Sequence, residues 1–128
     1  SISVARSVRL EADERYLEEH KPEISTRSDE LATSIESAAK TFVESGEKPT
    51  LIALIAKVLS NAGIEASKIA EVIEPIAYHN DERVPRFSFS WERKIIEERN
   101  RRRREKAIEK TMLRLRSWYD AGRVQKEV

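Results

Sequence analysis

The chain has 128 residues, 39% of them hydrophobic and 37% charged, a size that suits one domain and a charge content well above the roughly 25% of average proteins. It contains no cysteine, which excludes disulfides, thiolate catalysis and cysteine-ligated zinc. Its formal net charge of +1 hides a division: 9 Lys and Arg stand against 16 Asp and Glu up to Glu82, and 15 against 7 from Arg83 onward. Such asymmetry points to a polyanionic partner for the basic part, or to association between the two parts.

Between Ser1 and Pro22, Val8 and Leu10 alternate with Ser7 and Arg9, which suits a short strand. Ala5, Val8, Ala12 and Tyr16 also keep helical spacing, and the composition from Glu11 to His20 favours helix. A second helix is capped by Ser28, with Asp29 and Glu30 in its first turn. Leu31, Ile35, Ala38 and Phe42 form its buried stripe, Gly46 stops it, and Pro49 prevents continuation.

Thr50 is expected to cap a helix over Leu51–Ala62 that is apolar nearly all round and sits at the centre of the bundle. Gly63 ends it, with Ile64 packing back as in a Schellman cap. A helix from Glu65 turns Ile69, Val72, Ile73 and Ile76 inward and Lys68, Glu71 and Glu74 outward, and Pro75 kinks it or marks its last turns. Residues Asn80 to Pro85 form a polar connection. Arg86 to Trp91 alternates as a short strand or extended arm, and one long helix runs from about Glu92 to Ala121, stopped by Gly122.

The expected fold is therefore mainly α: a small helical bundle with a long C-terminal basic helix and one or two short extended segments. Residues 1–82 form an acidic helical body and 83–128 a basic arm and long amphipathic helix, within one folding unit. Three or four helices over residues 28–78 make the body, and the basic helix projects from it. The extended segments near Val8 and Phe87 are expected to pair with each other or across a subunit interface. The longest apolar run, Leu51–Ala56, is far below the roughly 20 residues of a membrane span, and no secretory signal is visible. An intracellular setting is expected: cytoplasm, nucleoid or nucleus, or the inside of a viral particle.

At roughly 100° per residue, Arg103, Lys106, Lys110 and Arg114 fall on the same side of the long helix as Arg99. Ile108, Met112, Leu115 and Tyr119 gather opposite, a seam for self-association together with Trp118. From Glu97 to Lys106 this seam is interrupted, because Arg101 and Arg104 occupy the face that Ile108 and Leu115 occupy later. Burying unpaired charge is expensive, so this stretch must be solvated, paired with acidic residues, or laid on a polyanion. Arginine forks match phosphate geometry. Arg86, Arg99, Arg101, Arg102, Arg103, Arg104, Lys106, Lys110 and Arg114 are the candidate nucleic-acid contacts. Phe87, Phe89 and Trp91 flank Arg86 and are candidates for stacking on bases, for a neighbouring subunit, or for the core.

Leu59 to Ile73, with Gly63 as turn glycine and Ile64, Ile69 and Val72 inward, resembles the bihelical unit of helix-turn-helix proteins. Its second helix shows Glu65, Glu71 and Glu74 against one Lys68, the wrong sign for a phosphate-lined groove. Ser7-Val8-Arg9-Leu10, followed by helical Glu11–His20 and Ser28–Val43, resembles the element order of the ribbon-helix-helix family, which implies Arg9 in the ribbon.

His20 and His79 are far apart and lack paired-ligand spacing, so each is read as a helix-end residue. No glycine-rich phosphate loop and no nucleophilic triad can be singled out. The expectation is a non-enzymatic protein with no cofactor and no metal. It would be a sequence-tolerant, homo-oligomeric binder of DNA or RNA with a packaging, nucleocapsid-like or accessory role, and would have no membrane partner. The alternative is a protein–protein interaction module that dimerises through the long helix.

Overall fold

The computed structural model describes residues 28–122, which form four helices: α1 (Ser28–Ser45), α2 (Pro49–Asn61), α3 (Ala66–Ala77) and α4 (Ser90–Asp120). The fold is a small all-α bundle, with no strand among the described residues. The segment around Val8, and with it the ribbon of the ribbon-helix-helix resemblance, lies outside the described residues.

Leu31, Ala38 and Phe42 of α1 are buried as the stripe predicts. The chain leaves α1 at Gly46, whose φ of +78° is the left-handed region that favours glycine. Its N–H donates to the Phe42 carbonyl at 2.7 Å. Helix α2 begins earlier than expected. Pro49, not a residue after a Thr50 cap, opens it, because proline's fixed φ suits the first helical position and its missing N–H costs nothing there. Thr50 sits inside the helix, and its hydroxyl donates to Glu47 Oε1 at 3.2 Å.

Leu51 through Ala56 and Leu59 are all buried, which makes α2 the centre of the bundle. It ends in a Schellman motif. Gly63 N–H donates to the Ser60 carbonyl and Ile64 N–H to the Leu59 carbonyl, each at 3.0 Å, while Ile64 and Leu59 join the core. The Leu59–Ile73 stretch that resembles a helix-turn-helix unit is a bundle corner, with α3 packed on α2.

Residues 86–91 are not a strand. Arg86 and Phe87 form a turn and Ser90 is already helical. Glu92 bends back so that its Oε1 accepts the Phe89 N–H at 3.3 Å, half of a capping box, and this local bond outweighs the alternating pattern.

Helix α4 does not project. It lies along α3 and α1. Its inward face runs Ile96, Asn100, Arg104, Ala107, Thr111 and Leu115, at steps of three and four residues. The apolar seam is thus continued upstream by polar residues. The Thr111 hydroxyl is fully buried without a hydrogen-bond partner. Since an unsatisfied buried hydroxyl is costly, Thr111→Val, nearly the same shape, raises stability by about 1 kcal/mol. Urea unfolding checks this, and a loss of stability would contradict the burial of an unpaired hydroxyl.

Candidate nucleic-acid interface

Arg104 explains why the arginine run can lie against the body. Its side chain is only 12% exposed and ends in a fork. Nε donates to Asp81 Oδ1 at 3.0 Å and Nη2 to Asp81 Oδ2 at 2.5 Å, a bidentate pair. Nη1 donates to the Val43 carbonyl at 3.0 Å. Val43 lies in the last turn of α1, where carbonyls lack intrahelical donors and no basic residue stands. Arg104 therefore supplies the missing C-terminal cation from another helix. Gly46 makes room for it: a Cβ there would sit 3.3 Å from Arg104 Nε.

The loop between α3 and α4 is stitched down by the same stretch. Asn100 Oδ1 accepts from the Glu82 N–H at 2.7 Å, and its Nδ2 donates to the Glu82 carbonyl at 2.9 Å. Arg99 pairs with the Glu82 carboxylate through Nε at 2.9 Å and Nη2 at 2.7 Å. That pairing holds the Glu82 pKa below its usual value and raises that of Arg99. Asp81 is lowered to about 2, first by the Arg104 hydrogen bonds, with His79 helping against partial burial.

His79, read from sequence as a helix-end residue, makes a carboxylate pair with Asp81 at 2.7 Å and packs edge-on against Phe42 at 5.8 Å. At the end of α3, Lys48 Nζ donates to the Ala77 carbonyl at 3.3 Å and also to that of His79, again a cation from elsewhere on a helix with no basic residue in its last turn.

Pro75 has the same kind of consequence. Lacking an N–H, it leaves the carbonyl four residues back, that of Glu71, without its helical partner. Arg114 Nη1 donates to that carbonyl at 2.5 Å. Arg101 and Arg102 form pairs along α4 with Glu105 at 2.8 Å and Glu98 at 3.2 Å, exposed contacts worth about 0.3–0.5 kcal/mol each.

The nine candidate nucleic-acid contacts thus separate into groups. Arg104 is enclosed in the body, Arg99 and Arg114 are tied to it, and Arg101 and Arg102 are loosely paired on the surface. Arg86 lies over the Phe87 ring at 5.6 Å. Arg103, Lys106 and Lys110 are exposed and carry no hydrogen bond or ion pair among the described residues. At three- and four-residue steps they share one face, and with Arg114 they line a shallow groove of about 380 Å³ against Glu74, Pro75, Tyr78 and His79. Glu74 is the single carboxylate among the described residues of that lining.

The expected self-association seam faces inward where it is described, the Tyr119 side chain lying outside the described residues. Leu115 is buried, and Ile108, Met112 and Trp118 pack on the core. The aromatics beside α4 are open instead: Phe87 is 93%, Phe89 68% and Trp91 61% exposed.

The model of the family described as uncharacterised conserved protein UCP019236 matches residues 11–118. The chain belongs to this family. The matched span contains the whole Arg104 clamp, the groove and the exposed aromatics. No curated protein and no solved structure matches the chain.

Among the described residues no group of three His, Asp or Glu is placed to hold a metal ion, and no helix is long and apolar enough to cross a membrane. Sequence reasoning did not find Asn100, Lys48 or Asp81 as organisers of this surface. The signal that was available is the helical wheel, which sets Arg104 on the face of Leu115 and so demands a buried partner.

Proposed function

We propose that this protein is a non-enzymatic, sequence-tolerant nucleic-acid-binding protein that works inside the cell. It holds the phosphate backbone of DNA or RNA along one face of α4. The observation that supports this is the set Arg103, Lys106 and Lys110 beside the groove, exposed cations without a hydrogen bond or ion pair among the described residues, whereas Arg99, Arg101, Arg102, Arg104 and Arg114 of the same helix have protein partners. Aligned cations without close ion pairs remain available to neutralise phosphates and release the counterions condensed on them. Exposed Arg99 and Arg102 extend the stripe towards the aromatic end.

Self-association through Ile108, Met112 and Leu115 is the less favoured reading, because any partner would compete with their packing on the chain's own core. Fluorescence anisotropy of labelled DNA and RNA against salt concentration tests the proposal. Three phosphate contacts predict a log–log slope of about −2 to −3. Absence of binding at low salt rejects it.

A further inference from the structure

We propose that the exposed aromatic cluster at the start of α4 is a base-stacking platform, so that the nucleic acid held is single-stranded. The inference rests on the phosphate-binding reading above and adds the class of strand. Three large aromatic side chains within five residues are far more exposed than a bundle of this kind needs. They are also ordered with respect to one another. The Phe89 and Trp91 rings are nearly parallel, 8° apart in plane, with centroids separated by 6.4 Å. The Arg86 guanidinium lies over the neighbouring Phe87 ring. Parallel ring faces beside a guanidinium offer π surface and charge together, to which every base can respond.

Position on the helix supplies the second argument. Trp91, exposed Ile95, Arg99, Arg102 and Lys106 follow one another at four, four, three and four residues, the spacing of neighbours on one helix face. The aromatic end and the unpaired cations are therefore one continuous surface. From Trp91 to Lys110 it extends roughly 28 Å at 1.5 Å per residue, long enough to follow several nucleotides of a strand. A duplex keeps its bases stacked on one another, so it can use the cations but not the rings. A strand with free bases can use both. The same surface lacks the uniformly apolar character that a second copy of the chain would require, since Arg99, Arg102 and Lys106 continue it.

The test compares a short labelled oligothymidine with a duplex of mixed sequence, using the full chain and the variants Trp91→Leu and Trp91→Phe. Leucine keeps apolar bulk and removes the large π face, whereas phenylalanine keeps a ring. The expected result is that Trp91→Leu weakens oligothymidine binding about 5- to 150-fold. Trp91→Phe retains most of the affinity, and duplex binding is the same in all three proteins. Equal oligothymidine affinity for Trp91→Leu and the parent chain overturns the platform. If Lys106→Gln with Lys110→Gln still weakens both ligands, the phosphate-binding reading survives that failure. A parent chain that binds neither ligand overturns both. Light scattering provides the remaining arm: an oligomer that Trp91→Leu dissociates while oligothymidine affinity stays unchanged assigns the rings to self-association and overturns the proposal.

Discussion

Replacing Arg104 by methionine destabilises the bundle by about 2–3 kcal/mol, the largest effect expected from any single residue of the arginine run. Methionine fills much of the same volume and keeps the apolar stem, so the loss reports the guanidinium. Without it the Val43 carbonyl at the end of α1 loses its donor and Asp81 loses two charge-assisted bonds. Asp81 is itself partly open to solvent, which keeps the cost below that of a fully buried broken pair. Arg104→Lys recovers only part of the loss, since an ammonium cannot hold both carboxylate oxygens and a carbonyl in one plane. Replacing the neighbours Arg101 or Arg102 by methionine changes stability by less than about 0.5 kcal/mol. Denaturant unfolding of the four variants checks this, and equal effects across them would reject the clamp.

The same contact carries a pH signature. The folded Asp81 pKa is lowered to about 2 from an ordinary 3.8, so its ionised form favours the folded state. That contribution is complete above about pH 4 and is lost as pH falls through the folded value towards 2. In Arg104→Met the main cause of the shift is absent, and its stability depends less on pH across this window than that of the parent chain.

The bundle itself was largely legible from residue spacing. Leu31, Ala38 and Phe42, the apolar Leu51–Ala56 run and the Gly63–Ile64 cap all lie where periodicity and cap chemistry place them. The reading failed where a polar residue performs a structural task. A wheel treats Asn100 and Arg104 as an interruption of the seam, because hydropathy assigns them to solvent. In the fold they face backbone groups that need partners: a helix C-terminus without its own cation, and a loop amide and carbonyl at Glu82. The arginine at Pro75 follows the same rule, since the missing N–H creates the carbonyl that Arg114 occupies. Such needs arise only when distant segments meet, so composition alone counted every arginine of the run equally. The alternating Arg86–Trp91 segment misled for a local reason: the Glu92 return to the Phe89 amide starts a helix that a period of two does not reveal.

Changing Arg103, Lys106 and Lys110 together to glutamine weakens nucleic-acid binding on the order of 10- to 100-fold near physiological salt and makes the log–log salt slope shallower by about 2 to 3. These three side chains make no hydrogen bond or ion pair among the described residues, so the triple variant unfolds within about 0.5 kcal/mol of the parent chain. The proper comparison is a second triple variant with the same change in net charge. Lys40→Gln, Lys94→Gln and Arg116→Gln remove three exposed cations outside the groove. If binding followed net charge alone, both variants would lose affinity equally. If it followed the arginine run, Arg101→Gln with Arg102→Gln would be the more damaging change. Selective loss in the first variant places the phosphates along the groove, where Arg103, Lys106 and Lys110 stand at three- and four-residue steps on one face.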